Sequence, residues 1–245
     1  DLGWSYRQQQ PVLKLIADRL PATLLLTGSA FALSLLFGVA LGAMASRRVG
    51  SWLDSVITVV ALIFFATPLY WLAMMAVLIF TVQLDWLPGF GFFTVGTQLS
   101  GLDRVLDIGK HLILPALTLA LFYMAVYARM TRASMLEVAQ MDFVKTARAK
   151  GVAPGRILRA HVLRNALLPV VTLAGIQAGG MIGGAVLTET VFAWPGIGRL
   201  MFDALLQRDY NLLLGCFLVT AAVAVLFNLL TDLVYTLVDP RIEMA

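Results

Sequence analysis

Residues 129–164 read RMTRASMLEVAQMDFVKTARAKGVAPGRILRAHVLR, and this stretch decides how the whole chain is organised. It carries eight Lys or Arg residues against two acidic residues, Glu137 and Asp142. The sequence on either side of it is apolar over a length that can cross a lipid bilayer. Because charged side chains are expensive in lipid, the stretch predicts a water-facing connection between two membrane spans.

The rest of the chain has the composition of a membrane protein. Hydrophobic residues make up 60% of it and charged residues 13%, about half the charged fraction of a soluble domain. A bilayer-crossing helix needs roughly 20 apolar residues, and barrel strands are shorter and alternate. Five stretches without Asp, Glu, Lys or Arg have a suitable length: 20–46, 55–84, 111–128, 165–188 and 210–231. We therefore predict an all-α, polytopic helical membrane protein with five spans.

The positive charges indicate which side of the membrane each loop faces. With five spans, one side holds Arg47, Arg48, residues 129–164 and the C-terminus, and the other holds the N-terminus. Lys and Arg divide eleven to seven in favour of the first side, so the positive-inside rule places the C-terminus in the cytoplasm. The external loops are then residues 85–110 and 189–209. An outside N-terminus without a signal sequence suggests that a further span precedes this chain.

Residues 1–19 are mostly polar but contain a short amphipathic piece. Val12, Leu13, Ile16 and Leu20 fall on one side of a helix, which predicts an interfacial helix along the membrane before the first span. Residues 20–245 would then form one transmembrane domain.

Inside the basic loop, local signals predict two short helices. Asp142 is placed to cap a helix over residues 143–150, and Gly151 to end it in a left-handed conformation. Pro154 suits the first turn of a second helix, and Pro169 should bend or restart the chain where it enters the membrane. A loop that only sets topology against anionic lipid would explain the charge but not this helix–glycine–proline–helix pattern. The pattern favours a docking element.

Several blocks of the sequence resemble one known family. Residues 142–151 (DFVKTARAKG) and 159–169 (RAHVLRNALLP) resemble the coupling segment of binding-protein-dependent ABC importer permeases, in the dipeptide, oligopeptide and nickel branch. Residues 1–7 (DLGWSYR), 189–200 (ETVFAWPGIGRL) and 239–241 (DPR) resemble the first, B-type permease subunit of that branch. Lys145-Thr146-Ala147 replaces the wider family's Glu-Ala-Ala, and Arg164 replaces a proline; both departures fit the peptide branch. The resemblance implies a type I importer transmembrane domain with six spans, of which five are present here.

The resemblance also implies partners and a division of labour. The chain has no Gly-x-x-x-x-Gly-Lys-Ser/Thr loop for phosphate, so ATP and Mg would bind to two separate ATPase subunits and this chain would not be an enzyme. A second, similar permease would complete the translocation path in the bacterial inner membrane, and an external binding protein would deliver a peptide or a related small solute. Dipeptide, oligopeptide, glutathione, nickel, sugar or another solute remain open as cargo.

The segment that would dock on an ATPase is the helix before Gly151 and the start of the next helix. We expect Phe143, Val144 and Ala147 to form its buried side, and the cations to form a polar rim. The predicted coupling residues are Asp142, Phe143, Val144, Ala147, Arg148, Ala149, Lys150, Gly151 and Arg156.

Weaker signals concern the spans and the outer loop. Glycine pairs in the first and fourth spans favour close helix packing. Glu189 is interpreted as a solvated acid, with a contact to the binding protein as the alternative. Trp194 is interpreted as an interfacial anchor, with a re-entrant segment near the ligand entrance as the alternative for residues 192–198. His111 and His161 are interpreted as local hydrogen-bonding groups with no metal site. Side chains that would line a substrate path are Tyr123, Thr172, Gln177 and Asn228; Asn228 shares a face with Thr231, Asp232 and Tyr235.

Two other functions compete with the permease interpretation. A secondary transporter or channel subunit would also be helical, but it would be expected to carry ionisable residues within its spans, and these stretches have none except His111 at an edge. An intramembrane hydrolase would need a His near Ser29, and none is suitably placed. Nothing in the sequence indicates a nucleic-acid partner.

Overall fold

The computed structural model describes residues 2–96 and 99–238, with the surroundings of Gly184 and the side chains of 230–238 excluded. Residues 239–241, and the side chains of Thr231, Asp232 and Tyr235, therefore lie outside the described residues. The helices, in chain order, are α1 (Val12–Arg47), α2 (Trp52–Ala66), α3 (Leu69–Ala76), α4 (Gly101–Val138), α5 (Asp142–Ala149), α6 (Pro154–Arg156), α7 (Arg164–Val191), α8 (Ile197–Leu206) and α9 (Tyr210–Val238). π-helical turns, Val77–Gln83 and Ile157–Leu163, follow α3 and α6. The helical fold class is confirmed.

Within the described residues, four helices are long and apolar enough to cross a membrane, or five if α2 and α3 together form one interrupted span. The prediction of one uninterrupted helix over residues 55–84 was wrong. α2 ends at Ala66 and α3 begins at Leu69, with Pro68 at its N-terminal boundary. Proline lacks a backbone N–H and disfavours helical geometry in the residue before it, which explains the break.

The N-terminal residues do not form a separate interfacial helix. Strands β1 (Trp4–Ser5) and β2 (Gln10–Pro11) pair as a small antiparallel hairpin, and α1 then runs without a break to Arg47. The amphipathic residues that begin at Val12 are therefore the first turns of the first span. Pro21 lies inside this helix without ending it.

The chain forms two compact units. The first comprises Asp1–Phe31, Thr67–Ala120 and Ala178–Leu229, and the second comprises Ala32–Ala66 and Leu121–Gln177 with the end of α9. The core of the first unit joins α1, α8 and α9 through Val12, Leu15, Ile16, Ile197, Leu200, Ala204, Leu212 and Cys216. The core of the second unit joins α4, α5 and the start of the α7 helix through Met135, Val138, Val144, Ala147, Ile157, Val162 and Ala166.

The basic loop has one separate short helix rather than two. α6, its π-helical turn and α7 follow one another without a break from Pro154 to Val191. Pro169 lies inside α7, so the expected restart at this proline was wrong, while a bend there stays a prediction. Proline is tolerated in membrane helices where neighbouring groups satisfy the freed carbonyl.

Glycine pairs bring helices into close contact, as predicted, at some positions but not at others. A Cβ at Gly38 would lie 2.7 Å from a side-chain atom of α4, and a Cβ at Gly42 would also meet α4 at 2.7 Å. A Cβ at Gly179 would lie 3.1 Å from a carbonyl oxygen of α9. Among the described residues, no atom lies within 4 Å of a Cβ position at Gly180 or Gly183.

Candidate functional site

α5 lies in the second unit, where it begins one residue earlier than predicted. Met141 is its N-terminal boundary, with φ −68° and ψ 151°, and no side chain caps the helix. Asp142 is the first helical residue, and its carboxylate accepts a hydrogen bond from Lys145 Nζ at 2.8 Å. The prediction that Asp142 caps the helix was therefore wrong, although its negative charge still suits the first turn.

The end of α5 matches the sequence prediction. Gly151 has a φ of +73°, the left-handed region in which residues with a Cβ are strained. Its N–H donates to the Arg148 carbonyl at 3.0 Å, and the Val152 N–H donates to the Ala147 carbonyl at 3.2 Å. A Cβ at Gly151 would meet no atom within 4 Å, so the requirement for glycine comes from the backbone conformation alone. Pro154 follows at the first position of α6, as expected.

The two faces of α5 have different surroundings. Val144 and Ala147 are 0% and 7% exposed and pack within the chain's own core, against Met135 of α4 and Ile157 of the next helix. They therefore cannot be the side of α5 that contacts another subunit, which corrects the prediction made for both. Phe143, in contrast, is 42% exposed.

The surface that α5 presents outward is mostly cationic with one aromatic side chain. Its exposed residues include Phe143, Arg148, Ala149, Lys150, Gly151 and Arg156, together with Thr146 and the exposed pair Asp142 and Lys145. An open pocket of about 600 Å³ lies beside it, lined by residues of α1, α4 and the π-helical turn together with Arg148 and Pro154. An exposed aromatic group together with several exposed cations forms a surface on which an acidic partner with apolar side chains can pack.

Near this surface, the structure shows an ion pair that the sequence did not reveal. Arg132 of α4 donates from Nε to Asp54 Oδ1 at 2.6 Å and from Nη2 to Asp54 Oδ2 at 2.8 Å. Asp54, in the first turn of α2, also accepts a hydrogen bond from the Gly50 N–H at 3.0 Å and is 4% exposed. A two-bond guanidinium–carboxylate pair of this kind fixes the start of α2 against α4.

A second buried acid, Glu189, joins three elements of the first unit. It is 0% exposed, at the end of α7. Its Oε1 accepts a hydrogen bond from Thr23 Oγ1 of α1 at 2.7 Å, and its Oε2 accepts one from the Arg199 N–H of α8 at 3.0 Å. The Thr23 hydroxyl in turn accepts a hydrogen bond from the Ile197 N–H at 2.8 Å. The interpretation of Glu189 as a solvated acid was therefore wrong.

The residues around Glu189 complete this buried cluster. A Cβ at Gly196 would overlap the Glu189 carboxylate, so this glycine makes room for it. Trp194 is 0% exposed and donates from Nε1 to the Ala22 carbonyl at 2.8 Å, which corrects its interpretation as an interfacial anchor. Burial raises the pKa of the Glu189 carboxyl, and hydrogen bonds from Thr23 and the α8 amides act in the opposite direction.

The predicted external loop also contains more structure than expected. α8 occupies Ile197–Leu206, and the segment is tied to the N-terminal hairpin. The Ser5 hydroxyl donates to the Asp209 carboxylate, and Asn211 Nδ2 donates to the Trp4 carbonyl at 3.2 Å. This segment of the first unit is therefore folded and held to the N-terminal hairpin by hydrogen bonds.

The residues predicted to line a substrate path lie on three helices. In the second unit, Tyr123 is half-buried on α4, Thr172 is exposed on α7, and Gln177 has a buried Oε1 without a hydrogen-bond partner among the described residues. In the first unit, Asn228 of α9 lies beside Gly179. Their role in a path stays a prediction. His111 makes the expected local contact, from Nδ1 to the Asp107 carbonyl at 2.9 Å.

Comparison with known proteins assigns the chain to a family. Residues 38–244 match the binding-protein-dependent transport system inner membrane component family. The chain is 42% identical over 257 residues to the dipeptide transport system permease protein DppB of Alkalihalophilus pseudofirmus, covering 99% of this chain and 77% of that protein. It is 41% identical over 244 residues to the oligopeptide transport system permease protein AppB of Bacillus subtilis, covering 99% of this chain and 76% of that protein.

A solved structure supports the fold. A chain of the MetNI methionine ABC transporter, in an inward-facing crystal form, superposes with a TM-score of 0.73 at 18% identity, covering 93% of this chain and 98% of that one. This chain belongs to the family of binding-protein-dependent transport system inner membrane components. It is a permease subunit of an ABC importer with the type I transmembrane fold, and the competing secondary-transporter and channel interpretations are set aside.

Proposed function

We propose that this permease subunit imports a peptide, or a related small solute, together with a second, similar permease that forms the other half of the path. The relatives named for dipeptide and oligopeptide transport, each matched over 99% of this chain, support the peptide class. In this proposal an external binding protein delivers the solute. The side of the chain that holds Arg47, Arg48, residues 129–164 and the C-terminus faces the cytoplasm.

The energy for transport comes from two separate ATPase subunits that hold ATP and Mg, and this chain itself catalyses no reaction. The observation that carries this proposal is the construction of α5. Its inner face, Val144 and Ala147, is anchored in the permease core, while Phe143 and the cations beside it face outward. A helix held on one side and exposed on the other can transmit a movement of a docked subunit to α4 and α7.

Coupling requires that the ATPase pair binds differently to two arrangements of the permease. A docked subunit can shift an equilibrium only by the difference in its affinity for the two states. Because α5 packs against α4 and the start of the α7 helix, a displaced α5 would change the packing of both. The left-handed turn at Gly151 fixes the direction in which the chain leaves α5 and enters α6.

The experiment that tests this function is purification of the complex in mild detergent, followed by reconstitution into liposomes. We expect the chain to co-purify with a second permease and ATPase subunits, and to support ATP-driven uptake of a radiolabelled peptide in the presence of the binding protein. Recovery of the chain without any ATPase, or ATP-independent uptake, would contradict the proposal.

A further inference from the structure

A second pocket, distinct from the one beside α5, lies in the second unit among α2, α4 and α7. Its volume is about 480 Å³, within the range of about 300–1,000 Å³ that is usual for small-molecule sites. Apolar and aromatic side chains form most of its wall, and two arginines also line it. The residues that carry the argument are Phe65, Val126, Arg129, Arg132 and Leu173.

The charge of this pocket comes mainly from one arginine. Arg132 is engaged by Asp54 through two hydrogen bonds, so its charge is already matched. Arg129 makes no ion pair in the part of the chain that the structure describes. Its guanidinium lies over the Phe65 ring, 5.6 Å from the ring centroid. The pocket therefore presents the Arg129 guanidinium on an aromatic wall, which suits an anionic group attached to an apolar body.

Stacked aromatic rings lead from Arg129 to a residue predicted for the substrate path. The Phe65 ring stacks on Phe122 with 5.4 Å between centroids, and Phe122 meets Tyr123 edge-on at 5.3 Å. Tyr123 lies on α4, nearer the middle of the helix than Arg129. A small solute that moves along these rings from Tyr123 would reach Arg129. This arginine lies on α4 and is the first residue of the basic loop.

We propose that this pocket binds the free carboxylate of a peptide on its way to the cytoplasm. Arg129 pairs with the carboxylate through its guanidinium, and Phe65, Val126 and Leu173 contact the C-terminal side chain. The inference rests on the proposed function, which supplies peptides as the solute. A lipid phosphate carries the same charge, but the aromatic contacts from Arg129 to Tyr123 favour a solute that arrives from within the path.

The test uses the assembled complex in liposomes, without nucleotide, and a dipeptide with a diazirine in its C-terminal side chain. Adding the peptide directly avoids any dependence on the binding protein. After photolysis, mass spectrometry measures the labelling of pocket residues by the free acid and by the C-terminal amide. We expect the free acid to label the pocket about tenfold more strongly, because charged hydrogen bonds are stronger than neutral ones.

Arginine variants distinguish an effect of the positive charge in this pocket from an effect of losing a positive charge elsewhere on the chain. Arg129→Gln should remove the preference for the acid, and Arg129→Lys should keep part of it. Arg48→Gln, a loss of an exposed arginine from the turn between α1 and α2, should leave the preference unchanged. Equal labelling by acid and amide in the unmodified chain, or an unchanged preference in Arg129→Gln, would overturn the proposal.

Two further comparisons assign the cause of a failure. If the pocket is labelled only in liposomes made without anionic lipid, a lipid phosphate is the normal occupant and the proposal is wrong. ATP-driven peptide uptake is measured in the same preparation with the binding protein added. No uptake there would contradict the proposed function, whereas uptake without a labelled pocket would contradict only the proposed site.

Discussion

Removing the Glu189 carboxylate should loosen the start of α8 much more than the rest of the chain. In Glu189→Ala, three buried donors lose their acceptor: the Thr23 hydroxyl and the backbone N–H groups of Gly198 and Arg199. An unsatisfied buried donor costs at least about 1 kcal/mol, so the loss should be about 3 kcal/mol.

This free energy can be measured as the protection of the α8 amides against hydrogen exchange. Each 1.4 kcal/mol is a factor of ten, so amides near Arg199 should exchange about 100-fold faster in Glu189→Ala. Glu189→Gln keeps the shape, but its NH₂ group would face another donor. We expect exchange in Glu189→Gln to lie between that of the unmodified chain and that of Glu189→Ala, about tenfold faster than in the unmodified chain.

The matched control is Asp203→Asn on the exposed side of the same helix. Asp203 reaches Arg199 only at 4.0 Å, with about half of its side chain in solvent, so exchange should not change. Exchange in the hairpin at Trp4–Ser5 reports whether the whole unit has unfolded. Unchanged protection of the α8 amides in Glu189→Ala would refute the conclusion that this carboxylate holds α8 to α1.

Other substitutions test the remaining contacts. Gly42→Leu places side-chain atoms where α4 already lies, and should lower the yield of folded protein in detergent, whereas Gly28→Leu, with no atom within 4 Å of its Cβ position, should have normal yield. Gly151→Val should destabilise the left-handed turn by about 1–2 kcal/mol, so membrane insertion should be normal but transport lost. Gly151→Asn, which tolerates this conformation better, should retain most transport. Full transport by the valine variant would contradict the role of the turn. Arg132→Gln leaves Asp54 without its cation and should lower the midpoint temperature of unfolding, with partial recovery when Asp54→Asn is added, as a double-mutant cycle of thermal melts would show.

The end of α5 was predictable because its signals are local. A glycine followed within three residues by a proline indicates a helix that stops and a chain that restarts. The structure has a left-handed Gly151 and a helix beginning at Pro154. The side of the helix that meets its own chain was not predictable in this way. Val144 and Ala147 form one apolar stripe, and a stripe alone does not identify what covers it.

The cluster around Glu189 was missed because its partners are far apart in sequence. Thr23 and Glu189 are separated by 166 residues, and a single acid after an apolar stretch is usually solvated. The glycines at 196 and 198 were the available signal, since both make room close to the carboxylate. The break at Pro68 could have been read from the sequence, whereas Pro169 shows that a proline does not always interrupt a membrane helix.

The central claim is that the outward side of α5 meets an ATPase. A photoreactive amino acid placed at Phe143 in the assembled complex tests it directly, with Val144 as the matched position that faces the permease core. We predict a covalent product between position 143 and an ATPase subunit, and only products within the permease from position 144. Products with lipid alone from position 143, or equal ATPase products from both positions, would contradict the account.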